Sequence, residues 1–202
     1  MTSDRDYALL CQAAYQGVPD YGTPDGARAF RASIGGRLVI CFPGSRSLQD
    51  WAVDLLAPPA LDLDRADHVD LGPIHVGFLE RAHRCLDLVR IALLAADGYV
   101  LTGHSLGGAI ALLVAALMMA EKHPPPFEIV TFGAPRVGLR PWARILTAVN
   151  IRQYRFGADV IPLVPTYPYQ HAREPLIQVG EPIKSLDIFI NHAIVNYIGA
   201  LN

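Results

Sequence analysis

Charge is sparse in this sequence. Asp, Glu, Lys and Arg make up 18% of its 202 residues against 51% hydrophobic ones, and 17 basic side chains against 19 acidic ones leave a net charge of −2. Such a balance provides no basic stripe for a phosphate backbone and no cationic face for an anionic bilayer, so nucleic acid is not an expected partner. Cysteine is also scarce and odd in number. Cys11, Cys41 and Cys85 sit in apolar stretches and read as buried thiols rather than as a disulfide framework. Long apolar runs are missing too. The longest, Ala109 to Ala120, falls short of the roughly 20 residues that cross a bilayer, so no transmembrane segment is expected. The opening stretch MTSDRDYALLCQAAYQG has no basic region followed by an apolar one. A cytoplasmic protein is therefore the expectation, with secretion the alternative if a leader has been removed.

What remains is ample apolar material for one buried core, and a single domain over residues 1–202 is expected. Ser3 and Asp6 have capping-box spacing and open a helix that ends near Gly17. ARAFRASI and RLVICF flank Gly35-Gly36 and read as a β-hairpin. From Ser47 to Ala57, Leu48, Trp51, Ala52, Leu55 and Leu56 recur on one helical face, and Pro58-Pro59 end the helix. IHVGFLERAHRCLDLVRIALLAADG is mostly helical by pattern, YVLTG is a short strand, and Gly107 to Glu121 is a helix apolar almost all round. Then come a strand FEIVTFG, a short helix PWARILTAV, strands NIRQYRFG and EPLIQVG, and a last helix over about Phe189 to Leu201. Strands alternating with helices predict an α/β protein with a mainly parallel sheet covered on both faces.

The stretch YVLTGHSLGGAIALL places Ser105 between a strand and a helix, in the pattern G-x-S-x-G. A serine hydroxyl is a weak nucleophile and needs a base held close to it. A sharp strand-to-helix turn presents it, and crowds the residues two before and two after, so both must be small; here they are Gly103 and Gly107. The helix also aims its free N–H groups at the reaction centre. In this architecture the carboxylate and the base follow the serine in the chain. The histidines after Ser105 are His123, His171 and His192, and the aspartates are Asp159 and Asp187. His123 leads into a proline run at the far end of the helix and should point away. Asp159 falls just past a strand end, where open α/β sheets place functional groups. Asp187, before the final helix, suits surface or cap duty. His171 and His192 both remain candidates for the base. His68 and His75 lie near Asp67 and Asp70, but no metal-ligand spacing appears, and DLDRAD lacks the glycine of a calcium loop, so no metal is expected.

Four stretches in this order, CFPGSRSLQDWAVDL, IHVGF, GHSLGGAIALL with TFGAPRVG, and GADVIPLVPTYPYQHAREPLIQVG with NHAIVNYI, resemble the class 3 lipase family. These are α/β-hydrolases that include fungal triacylglycerol lipases and feruloyl esterases. The resemblance implies the α/β-hydrolase fold, no cofactor, and a triad in which His192 is the base and Asp159 its carboxylate, His171 falling on a structural position. It implies an oxyanion hole from the backbone N–H groups of Leu106 and Ser45, with the Ser45 hydroxyl as a further donor, and makes His104 a packing residue. The chain departs from the family at Pro43, where arginine is usual, and at Asn191, where aspartate is common. The Ser47–Ala57 helix falls at the lid position, so Leu48, Trp51, Leu55 and Leu56 either cover an acyl groove or pack permanently on the core. The expected function is a serine carboxylic ester hydrolase, a lipase or esterase acting on acylglycerols or simple fatty-acyl esters, in transient contact with a lipid interface. The alternatives are a phospholipase, an acyltransferase or thioesterase with the same triad, and a lipase-like binding scaffold that does not turn over.

Overall fold

The computed structural model describes residues 2–22, 27–45, 71–94, 96, 98–185, 187 and 189–201. The expected helix from Ser47 to Ala57, with Leu48, Trp51, Leu55 and Leu56, lies outside the described residues. Five α-helices are described: α1 (Asp4–Gln16), α2 (Val76–Leu93), α3 (Leu106–Ala120), α4 (Pro141–Ile145) and α5 (Ile194–Ala200). The strands are β1 (Tyr21–Gly22), β2 (Arg28–Ile34), β3 (Arg37–Phe42), β4 (Tyr99–His104), β5 (Glu128–Phe132), β6 (Asn150–Phe156) and β7 (Ile177–Val179). They form one sheet in the order β1-β2-β3-β4-β5-β6-β7. β1, β2 and β3 pair antiparallel, and β3 through β7 pair parallel. This is the α/β-hydrolase architecture expected from the sequence.

Strand periodicity divides the core in two. Ile40, Phe42, Tyr99, Leu101 and Ile129 face α2, α3 and α4. Val39, Cys41, Val100, Val130, Tyr154 and Phe156 face α1 and α5 on the other side. Alternate side chains of a strand point to opposite faces, so parallel strands covered on both sides read as continuous apolar runs. α3 is buried from Leu106 to Met118 without interruption, because it lies between the sheet and α2. A helix enclosed in this way is apolar all round, as its sequence already indicated. α1 opens on its capping box, the Asp6 carboxylate accepting from the Ser3 amide at 2.8 Å and the Ser3 hydroxyl at 3.0 Å. It is fixed to the sheet by Arg152 of β6, which donates to both Asp4 oxygens at 2.7 Å and to Glu128 at 2.9 Å. Cys11, Cys41 and Cys85 are free and buried.

Two expectations need correction. EPLIQVG contributes only Ile177–Val179 to the sheet, since β7 is an edge that pairs with β6 alone. The last helix is not continuous: a 3₁₀ turn covers Ile190–His192, Ala193 is extended at φ −62 and ψ 131, and α5 begins at Ile194. The break lets residues on either side of it reach the same carboxylate. No helix among the described residues is long and apolar enough to cross a membrane.

The enclosure of α3 has a measurable consequence. Leu112→Ala, at a fully buried position, is expected to lower unfolding free energy by about 2–5 kcal/mol in urea denaturation. Leu9→Ala, on the exposed side of α1, should change it by about 0.5 kcal/mol or less.

Candidate active site

Ser105 is the single residue between β4 and α3, at φ 58 and ψ −129, a region L-residues rarely occupy. Its amide donates to the Phe132 carbonyl at 2.9 Å, which pins the turn to the end of β5. A side chain at Gly103 would strike the backbone of Gly107, and one at Gly107 would strike the Phe42 carbonyl. The two glycines of G-x-S-x-G are therefore imposed by contact with backbone, which cannot move aside.

Asp159 follows β6 and is fully buried. Its Oδ1 accepts the Ile161 amide at 2.9 Å, while Oδ2 accepts His192 Nδ1 at 2.7 Å and the Tyr197 hydroxyl at 2.5 Å. Burial works to raise this carboxyl, but the His192, Tyr197 and Ile161 hydrogen bonds together hold it below the usual carboxylate range. Because the carboxylate only accepts, His192 Nδ1 carries a proton and Nε2 is the ring nitrogen left for another partner. Nε2 and Ser105 Oγ are both buried without a hydrogen-bond partner among the described residues. Unsatisfied groups of this kind are uncommon and call for a reason.

The first glycine of TFGAPRVG is explained by this assembly. Gly133 sits at φ 60, and a Cβ there would lie 2.8 Å from His192 Cε1 and 2.9 Å from Asp159 Oδ2. Asn191 is accounted for by its amide. Its Oδ1 accepts the Ile183 amide at 2.8 Å and its Nδ2 donates to the Ile183 carbonyl at 3.0 Å, a pairing an ionised aspartate could not complete. Sequence reasoning did not single out Tyr197, Tyr15 or Gly133, whose partners are remote in the chain. The tyrosine in NHAIVNYI was the available signal for the first.

His171 is elsewhere. Its Nε2 lies 2.7 Å from the Pro162 carbonyl and its Nδ1 3.3 Å from the Gln153 amide nitrogen, so both ring nitrogens are occupied. His123 is half-exposed past the end of α3, 3.6 Å from Glu121, and the Asp187 carboxylate accepts the Phe189 amide at 2.9 Å as a turn residue. His75 stacks on Phe78 at 4.3 Å, and His68, Asp67 and Asp70 lie outside the described residues. No cluster able to hold a metal occurs among the described residues.

Ser45 and Leu106 line one cavity of about 340 Å³, with Pro43, Gly44, Arg28, Arg81 and Arg84. Leu106 is the first residue of α3, so its amide lies ahead of the first carbonyl the helix offers. Among the described residues, then, Ser105 follows β4, Asp159 follows β6 and is hydrogen-bonded to His192, Gly133 at the end of β5 lies against both, and Ser45 and Leu106 line one cavity.

A family described as Lipase (class 3) matches residues 39–169. Over 174 residues the chain is 30% identical to a secreted mono- and diacylglycerol lipase of Fusarium solani, covering 80% of this chain and 50% of that protein. Over 152 residues it is 32% identical to a chloroplastic phospholipase A(1) of Arabidopsis thaliana, covering 63% of this chain and 33% of that one. A lipase from Rhizopus microsporus var. chinensis superposes with a TM-score of 0.68 at 22% identity, over 96% of this chain and 84% of that chain. The chain thus spans half or less of the length of these two curated relatives.

Burial pushes His171 down to about 4. Burial, with the neighbouring His192, pushes His104 down to about 3. Both rings stay neutral in the folded protein while the unfolded chain takes up protons near the ordinary value of 6.5. Their stability contribution is complete above about pH 6.5 and is lost as pH falls toward 4 and 3, at a limit of about 1.4 kcal/mol per pH unit per site. Urea midpoints should fall steadily from neutral pH to about pH 4.5, and His171→Gln should flatten that slope.

Proposed function

The chain belongs to the class 3 lipase family, and on that premise we propose that it is a serine ester hydrolase with Ser105 as nucleophile, His192 as base and Asp159 as the orienting carboxylate. The observation that carries this reading is that Ser105 Oγ and His192 Nε2 are each buried with no hydrogen-bond partner among the described residues, while Asp159 is hydrogen-bonded to the opposite side of the same imidazole.

In the proposed reaction His192 Nε2 takes the Ser105 proton as Oγ attacks an ester carbonyl. The Leu106 and Ser45 amides stabilise the oxyanion, and His192 returns the proton to the departing alcohol. Water then hydrolyses the acyl-enzyme by the same exchange. These steps use the chain's own residues and no cofactor.

Acylglycerols or simple fatty-acyl esters are the substrates this reading favours, in keeping with the name of the Fusarium solani relative. A second reading, esters carrying a phosphate group, is favoured by Arg81 in the wall of the cavity that Ser45 lines, and by the name of the phospholipase relative. Guanidinium groups match phosphate oxygens in geometry and charge.

Hydrolysis of p-nitrophenyl esters from acetate to palmitate, by wild type and Ser105→Ala in parallel, tests the proposal. Wild-type turnover with a loss on the order of 10⁴-fold or more in the variant is expected. Equal, negligible rates for both on every ester would make a binding scaffold the better account. Diacylglycerol against phosphatidylglycerol in mixed micelles then separates the two substrate readings.

A further inference from the structure

The inference rests on the proposed roles of Ser105 and His192, and concerns two residues those roles do not use. His104 ends β4, one peptide bond before Ser105, and is buried. Both its ring nitrogens are engaged: Nε2 lies 2.8 Å from the main-chain carbonyl of His192, and Nδ1 lies 2.7 Å from the Tyr15 hydroxyl. A carbonyl only accepts, so Nε2 carries the proton. Nδ1 is then the acceptor, and Tyr15 donates to it. The imidazole of His104 also packs on that of His192, with ring centroids 4.6 Å apart and planes tilted by 33°, and the Tyr197 ring meets it edge-on at 5.9 Å.

Tyr15 reaches a second part of the site. Its hydroxyl takes the space that a Cβ at Gly44 would need, and that Cβ would also lie 2.9 Å from the His104 carbonyl. Gly44 precedes Ser45. One tyrosine from α1 therefore touches both the histidine beneath His192 and the loop that carries the second proposed oxyanion donor.

We propose that His104 and Tyr15 are positioning residues, a neutral imidazole–phenol pair that holds the main chain of the base and the Ser45 loop in register with the nucleophile. His192 closes a 3₁₀ turn of three residues, followed by an extended residue, so no regular helix fixes its backbone. Asp159 aims the ring through Nδ1, but a ring can be aimed only as well as its Cα is placed. The bond from His104 places it, and ties it to a residue covalently adjacent to Ser105. A displacement of the order of 1 Å in such a constellation lowers rates about 100-fold. The pair must also be uncharged, since a cation stacked against His192 would oppose the imidazolium that the proposed reaction forms. Burial, with the neighbouring His192, keeps His104 neutral against the nearby charge of Asp159, which favours its protonation but does not bond to it; Tyr15, His192 and Tyr197 are the titratable side chains described against its ring.

The test compares wild type, His104→Phe, His104→Gln and Tyr15→Phe on p-nitrophenyl butyrate, with thermal melts to establish that each is folded. His104→Phe is expected to lower kcat on the order of 100-fold with KM within about twofold of wild type. His104→Gln, whose amide can donate to the His192 carbonyl, should recover about 10-fold of that loss. Tyr15→Phe keeps the ring and should lose about 5-fold, the worth of one hydrogen bond. It carries the kinetic test if His104→Phe does not fold. Folded variants with wild-type kcat, or a loss that glutamine does not relieve, would overturn the proposal.

Imidazole ¹⁵N spectra of wild type give an answer that does not depend on turnover. His104 should show a protonated Nε2 and a bare Nδ1 from about pH 5 to about pH 9, and the opposite tautomer, or titration in that range, would overturn the pairing. A wild type inactive on every ester sinks the hydrolase reading and this proposal with it. An active wild type matched by His104→Phe and Tyr15→Phe sinks the positioning proposal alone.

Discussion

Between β4 and α3 the chain turns through one residue at φ 58 and ψ −129, a conformation that costs an L-residue on the order of 1–3 kcal/mol. The turn cannot relax, because it is held from three sides. The Ser105 amide is bonded to the Phe132 carbonyl of β5. Gly107 lies against the Phe42 carbonyl of β3, and Gly103 against Gly107 itself. What offsets the strain is α3, buried from Leu106 to Met118 between the sheet and α2. The same helix that stabilises the fold thus presses a serine into a position where its hydroxyl finds no partner among the described residues. Its first turn lies beside the cavity that Ser45 lines, where free amide groups favour negative charge.

Much of this was legible from local pattern. The capping box at Ser3 and Asp6, the hairpin around Gly35-Gly36, the parallel strands and the enclosed helix after Ser105 are set by neighbours in sequence, and the structure has them where the pattern put them. Composition and spacing read less well where tertiary contacts decide. EPLIQVG has strand propensity, but an edge position pairs only three of its residues. His171 and His192 could not be separated by periodicity, because the distinction lies in partners: a carbonyl and an amide group for one, a buried carboxylate for the other. Gly133 belonged to a recognisable motif, yet its reason is His192, far along the chain.

The proposed base is assembled from segments that share no local signal. Asp159 comes from the end of β6, His192 from a 3₁₀ turn, Tyr197 from α5, and Asn191 secures the turn to the Ile183 backbone. Asp159 binds through both oxygens, Oδ1 to the Ile161 amide and Oδ2 to His192 and Tyr197. A carboxylate anchored on both sides cannot rotate, so its plane fixes where the imidazole proton must point. It is also already out of water and already hydrogen-bonded. When positive charge develops on His192 in the proposed reaction, little has to reorganise, and this is the condition under which fixed groups stabilise a transition state most effectively.

The interrupted C-terminal helix follows from the same requirement. On a continuous α-helix successive residues advance by about 100°, so positions five apart point about 140° away from each other. His192 and Tyr197 are five apart and both reach Oδ2 of Asp159. An unbroken helix over this stretch could direct one of them to the carboxylate but not both. Extending Ala193 between the 3₁₀ turn and α5 resets the phase, so that the imidazole and the phenol converge on one oxygen from different directions. The sequence here is apolar and helix-compatible, and helical propensity alone would have closed the gap. Satisfaction of a fully buried carboxylate outweighs one turn of helix, because leaving such a group short of donors costs several kcal/mol, more than the propensity differences of at most about 0.7 kcal/mol per residue add up to over about 3.6 residues.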